Sequence, residues 1–233
     1  AKGAVENWLT TIEGMMRQSL YHSLKDCVRA YSEEGRNSWF FDWPAAMIIA
    51  ADQVHWSTNV HNALNAIESG ENGNAVKEFY QFHNSQLSEM AAVVRGDLTK
   101  NQRGVMGATI VIDVHAREVL QILIDEKAEA VTHFDWNRQL RYYWDDDVDE
   151  QGDKYIAPEG DCNVRQTNTC FRYGYEYLGN SMRLVITPLT DKCYMTLTGA
   201  LHAKLGGAPA GPAGTGKTET TKDLGKALAI QTI

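Results

Sequence analysis

The stretch Gly211-Pro212-Ala213-Gly214-Thr215-Gly216-Lys217-Thr218 constrains this chain more than any other, because it fits the pattern G-x-x-x-x-G-K-[ST] at every fixed position. Glycines let a backbone turn where other residues cannot and approach a ligand closely. The N–H groups of such a loop can point inward and cradle phosphate oxygens. Lys217 can then set an ammonium between terminal phosphates, and the Thr218 hydroxyl can ligate the magnesium that travels with a nucleotide. Glu219 to Ala229 contain only one Gly and no Pro, and Leu224 and Leu228 sit four apart, as on one helix face. A helix N-terminus aimed at phosphates adds its partial positive charge. Chance alone produces the pattern in roughly one chain in a hundred of this length, and the helix-like segment lowers that further. The residues before the loop, Gly207-Ala208-Pro209-Ala210, make a poor strand on propensity.

At 233 residues the chain has room for one large or two small domains, and 43% hydrophobic residues suffice for a packed core. A net charge of −8 argues against nucleic acid or an acidic membrane as the main partner. No apolar run approaches the length that spans a bilayer. Ala1 is not an initiator Met, and no signal peptide is visible, so the start reads as internal or processed. Cys27, Cys162, Cys170 and Cys193 show no C-x-x-C spacing; a reducing compartment is the simpler reading.

The first 140 residues read as helices. Val5, Trp8, Ile12, Met15/Met16, Leu20, Leu24, Cys27/Val28 and Tyr31 recur every three or four positions. Gly35-Arg36-Asn37 breaks the pattern, and Asp42-Trp43-Pro44 signals a second helix from Ala45 to Ile67. Ser69 to Gly73 is a turn. A third helix carries Val76, Phe79/Tyr80, His83, Leu87, Met90 and Val94 on one face. After Gly96 and Gly104 a periodic segment runs through Ile110 to Ala130, with a possible continuation over Asp135–Trp144. An acidic loop or insertion is expected at about 145–165. Phe171, Tyr173, Tyr175 and Tyr177 alternate with polar residues, which predicts a strand over about 170–177. Leu184-Val185-Ile186 reads as a short strand ended by Thr187-Pro188, and Tyr194, Leu197, Leu201 and Leu205 as a helix closed by Gly206.

Other candidate sites are weaker. Asp145, Asp147 and Asp149 alternate as in a calcium loop, but Glu150 stands where Gly is needed and Ile156 where Glu is needed, so a solvated acidic loop is the better reading. His22, His55, His61, His83, His115, His133 and His202 lack ligand spacing and read as packing or surface residues. Trp136, Tyr142, Tyr143 and Trp144 have few basic neighbours, which favours core packing or a docking face over base stacking.

Several longer stretches then resemble one family. Arg183-Leu184-Val185-Ile186-Thr187-Pro188-Leu189-Thr190-Asp191-Lys192-Cys193-Tyr194, Leu205 to Ala210 and the loop with Glu219-Thr220 are similar to the first AAA+ module of dynein heavy chains. Ile112 to Arg117, Phe134 to Trp144 and Tyr173 to Gly179 resemble the end of the dynein linker. Thr221-Lys222-Asp223-Leu224 and Ala227-Leu228-Ala229 look more axonemal than cytoplasmic. The acidic stretch from Asp145 to about Cys170 departs from the usual pattern by its length.

The resemblance implies a mainly α fold: a multi-helix linker arm with a small β element over residues 1–178, then the N-terminal part of an α/β AAA+ module over 179–233. It implies ATP or ADP with Mg2+ at Gly211, Pro212, Ala213, Gly214, Thr215, Gly216, Lys217, Thr218 and Glu219. Thr218 is the magnesium ligand, and Leu184, Ile186, Pro188, Leu189 and Thr190 form a wall against adenine. It implies an ATPase motor whose partners are the remaining AAA+ modules, intermediate and light chains and microtubules, with no nucleic acid or membrane, in the cytoplasm and the cytoskeleton of a ciliary or flagellar axoneme. The acidic strand end and arginine that hydrolysis needs are expected beyond Ile233, so this chain alone is expected not to turn over ATP. The alternative is a mechanical, docking helical segment without nucleotide binding of its own.

Overall fold

A computed structural model describes residues 4–33, 36–146, 160–179 and 182–232. Four long helices build most of it: α1 (Val5–Glu33), α3 (Ala45–Glu68), α4 (Ala75–Val94) and α5 (Lys100–Asp125), with the short α2 (Arg36–Trp39) between the first two. The apolar periodicity explains their packing. Leu24, Cys27 and Ala30 of α1 are buried, as are Met47, Ile48, Ala51 and Val54 of α3. Helix α3 is central, touching α1, α4, α5 and the first strand. A Thr99–Gln102 capping box starts α5, satisfying N–H groups that would otherwise be orphaned.

The small sheet follows a single turn of helix, α6 (Phe134–Asn137). Strands β1 (Arg141–Asp145), β2 (Asp161–Gln166) and β3 (Thr169–Arg172) form an antiparallel ladder in that order. Tyr142 faces Val164 and Trp144 faces Cys162 across β1–β2. Two helices complete the described chain, α7 (Pro188–His202) and α8 (Lys217–Ala227). The architecture is therefore mainly α with a small β element, as expected; after residue 179 the described residues hold helices and extended segments. One hydrophobic core joins these parts, with Tyr142, Tyr173 and Val164 of the sheet region packed together with Tyr194, Leu197, Leu224 and Leu228. A second cluster, around Leu64, Leu120 and Trp136, closes the far end of the helical layer.

Several expectations need correction. The α5 periodicity does not run on to Ala130 or through Asp135–Trp144: Lys127 takes a left-handed turn (φ 52°), the Ala128 N–H closes back on Leu123 O, and residues 141–145 are strand β1. Gly104 lies inside α5, which also accommodates Gly107. Helix α1 ends at Glu33 and Arg36 and Asn37 open the separate helix α2, while Gly35 lies outside the described residues. The strand over 170–177 stops at Arg172, because the Gly174 N–H turns to Leu228 O and Tyr175 adopts φ 53°. The alternation there reports burial: Tyr173 and Tyr175 are buried and Tyr177 is exposed.

Leu184-Val185-Ile186 is not a strand; the Leu184 N–H bonds a carboxylate, Asp223, instead of a neighbouring strand. Helix α7 begins at Pro188 and ends before Gly206, because Lys204 supplies the left-handed residue of its terminal turn (φ 59°). Of the acidic stretch, Asp145 ends β1 and residues 161–165 lie in β2, where Asp145 accepts hydrogen bonds from Asn163 and Arg165. Asp147, Asp149, Glu150 and Ile156 lie outside the described residues. The four cysteines are thiols, Cys27 and Cys162 in the core. No helix among the described residues is long and apolar enough to cross a membrane.

Candidate functional site

The glycine-rich loop leads directly into α8. Gly214 and Gly216 both sit at φ 77°, the left-handed region that disfavours any residue with a Cβ. Gly216 is also the N-cap of α8 and offers no side chain to the first-turn N–H groups. Those donors, with the positive end of the helix dipole, suit an anion. Residues 211–216 are exposed, as are Thr218 and Glu219, while Lys217 is half-buried. The loop is held by its own bonds: the Thr215 hydroxyl donates to Pro212 O (2.9 Å), and the Lys217 ammonium donates to Gly211 O (2.9 Å) and to Pro212 O. Lys217 thus bends back over the loop. The donor set fits a nucleotide phosphate with magnesium: backbone N–H groups, one ammonium, and the exposed Thr218 hydroxyl one residue into the helix.

The apolar segment upstream is placed by a different device. Asp223, fully buried on α8, gathers four donors. Arg183 Nε bonds its Oδ1 at 3.0 Å and Arg183 Nη2 its Oδ2 at 3.1 Å, a two-pronged pair. The Leu184 N–H adds a bond to Oδ1 at 3.1 Å, and the Tyr194 hydroxyl one to Oδ2 at 2.7 Å. Burial alone would raise the Asp223 carboxyl, but the guanidinium and these hydrogen bonds outweigh it and hold the group below the usual carboxylate range. Burial and the adjacent carboxylate together push the Tyr194 hydroxyl up, so it remains a donor.

Past this anchor, Leu184 and Ile186 are half-buried, whereas Val185, Pro188 and Leu189 are exposed. Ile186 lines a small cavity of about 30 Å³ with Trp56, Ile112 and His115 of the helical layer, so it faces the arm. The Thr190 hydroxyl is engaged in a capping box with Thr187, donating to Thr187 O at 2.8 Å. Among the wall residues Leu189 presents open apolar surface, at 72% exposure.

Helix α8 also meets the arm at its other end. The Tyr142 hydroxyl of β1 donates to Ala227 O (2.8 Å), the Gly174 N–H to Leu228 O (2.8 Å) and the Glu176 N–H to Ala229 O (3.1 Å). Gly174 is required by close approach: a Cβ there would stand 2.5 Å from Ala229 O. Sequence reasoning missed the roles of Asp223 and Gly174, whereas Tyr142 is in the core, as its reading for core packing or a docking face expects. A signal existed for the first: Asp223 is a charged residue in register with the buried Leu224, Ala227 and Leu228. The histidines pack or lie at the surface, as expected: His55 bonds Val28 O and stacks on Tyr31, His83 bonds Asp113 O, burial pushes His115 down to about 4, and His22 and His202 are exposed.

Residues 173–233 match a family described as the hydrolytic ATP binding site of the dynein motor region. That span opens at the arm contacts of Tyr173 and Gly174 and includes the whole of α7, the loop and α8. The chain is 50% identical over 229 residues to dynein axonemal heavy chain 1 of Mus musculus, covering 98% of this chain and 5% of that protein. The chain belongs to the dynein heavy-chain family. Its similarity to dynein axonemal heavy chain 2 of Mus musculus is 46% identity over 234 residues, all of this chain and 5% of the relative. To dynein axonemal heavy chain 12 of Rattus norvegicus it is 44% over 233 residues, 7% of that chain. It thus spans a small fraction of the length of the heavy chains it matches.

Proposed function

We propose that this segment carries the phosphate-binding half of the main hydrolytic ATP site of an axonemal dynein motor, joined to the force-transmitting linker. The carrying observation is the left-handed Gly216 N-cap, which puts Lys217 and Thr218 in the first turn of α8 inside the span that matches the dynein ATP-site family. In this reading residues 1–178 are the linker arm and 179–233 the start of the first AAA+ module. Backbone N–H groups of 211–218 and the Lys217 ammonium hold the phosphates of ATP or ADP, and Thr218 holds Mg2+, which neutralises charge on the phosphates when bound. Glu219 follows in the same turn. Leu184, Ile186, Pro188, Leu189 and Thr190 bound the adenine side, with Pro188 and Leu189 exposed and Ile186 turned toward the arm.

The parent would act with its remaining AAA+ modules, intermediate and light chains, and microtubules in a ciliary or flagellar axoneme. Replacing Lys217 with Ala in the full heavy chain is expected to abolish nucleotide binding at this site and stop ATP-driven microtubule gliding; undiminished gliding counts against the assignment. A mechanical, docking role without nucleotide binding is the second reading, favoured by the continuous core between the arm and α8. A wild-type heavy chain that holds no nucleotide at this site would favour it.

A further inference from the structure

We infer that Asp223 is a positioning residue that sets how tightly the site holds the base end of a nucleotide, separately from the phosphate end. The inference rests on the nucleotide reading of the loop. Asp223 lies six residues into α8 from Lys217, about 9 Å along the axis. Among the described residues it makes no hydrogen bond to the loop, whose bonds run among Gly211, Pro212, Thr215 and Lys217. Instead its two oxygens hold both ends of the apolar segment. Oδ1 takes the Leu184 N–H and Arg183 Nε, at the start of the segment; Oδ2 takes the Tyr194 hydroxyl on α7, the helix that opens with Pro188, Leu189 and Thr190.

Two features make the carboxylate irreplaceable by packing alone. Arg183 is nearly buried, so its guanidinium has to find its counter-charge inside the protein. The Leu184 N–H has no strand partner, so Asp223 does the work that a sheet neighbour would do. A weakened Asp223 therefore frees the Leu184–Ile186 backbone and the N-terminus of α7 while leaving the phosphate cradle intact. The ligand consequence is selective: a nucleoside triphosphate loses affinity, and inorganic tripolyphosphate, which has no base, does not.

The test compares full heavy chains carrying Asp223→Asn or Tyr194→Phe with wild type. The Lys217→Ala heavy chain supplies the background that isolates this site. The readouts are KM for ATP, kcat, and the inhibition constant of tripolyphosphate. We expect KM for ATP to rise about tenfold for Asp223→Asn and about threefold for Tyr194→Phe, the scale of losing charge-assisted and single hydrogen bonds. Neither the tripolyphosphate constant nor kcat is expected to move more than about twofold. Asp223→Asn leaves a buried guanidinium short of charge; if it does not fold, Tyr194→Phe alone decides. An unchanged ratio of the two constants in a folded Tyr194→Phe motor overturns the inference, as does an equal loss of ATP and tripolyphosphate. If Lys217→Ala itself leaves binding at the site intact, the reading of the loop as the phosphate cradle fails first.

Discussion

Gly174→Ala is the sharpest test of how the arm meets α8. An ideal Cβ at residue 174 would stand 2.5 Å from Ala229 O, 2.8 Å from Ile230 Cγ1 and 3.1 Å from Ala229 C. Two of those atoms are backbone, so the chain must move apart there. The Gly174–Leu228 bond (2.8 Å) and the Glu176–Ala229 bond (3.1 Å) then lengthen together. Each net hydrogen bond is worth about 1 kcal/mol, and an added methyl group in a filled contact costs about 1–3 kcal/mol. The sum is a loss of about 3–5 kcal/mol, which is about 6–20 °C in Tm for a chain of this size. Urea midpoints and thermal unfolding of the segment measure it directly. Gly199→Ala is the control: it lies mid-helix in α7 with nothing within 4 Å of an added Cβ, and is expected to gain about 0.5–1 kcal/mol. A Gly174→Ala protein within about 0.5 kcal/mol of wild type would refute the close-approach argument.

The buried cluster in the arm gives a pH prediction. Arg36 Nη2 bridges Asp52 and Asp113, each at 2.8 Å. Burial first, then the neighbouring Asp52 charge, push the Asp113 carboxyl up to about 8, against which Arg36 pulls. Folding therefore takes up a proton; the stabilisation is full below the unfolded value of 3.8 and is lost as pH rises through about 8. Asp113→Asn should flatten the decline in urea midpoint between pH 5.5 and 9, and a slope equal to wild type would contradict the assignment. A nucleotide titration of this segment by itself should show ATP binding weaker than about 1 mM, because the loop and Leu189 are exposed and enclose little of a ligand; tight binding would show that the pocket is more complete than this geometry.

What the sequence makes legible follows from how local each signal is. Helices α1, α3, α4 and α5 are readable because a repeat of three or four residues reports one buried face within a few turns. The loop is readable because its chemistry sits in eight consecutive residues. Strand β1 is not, since Tyr142, Tyr143 and Trp144 become a strand only when β2 arrives about twenty residues later to accept the ladder. Tyr173 and Tyr175 mislead for a related reason: their alternation is real burial, but the Gly174 N–H is claimed by Leu228, more than fifty residues away. The same distance hides Asp223. Its partners Arg183 and Leu184 are forty and thirty-nine residues upstream, and helical periodicity shows only that a charge stands on an apolar stripe.

Helix α8 is eleven residues, about 16 Å of rod. Its front end is a glycine hinge and its back end is gripped by Tyr142, Gly174 and Glu176. A rod of that stiffness does not absorb an axial slide; it delivers it. A displacement of about 0.5 Å at the front would take the 2.8 Å bonds at the back toward the edge of hydrogen-bonding range. The grip at residues 227–229 is therefore the gauge of the whole element: hydrogen exchange at the Gly174 amide would register, in the arm, what happens at the opposite tip of the rod.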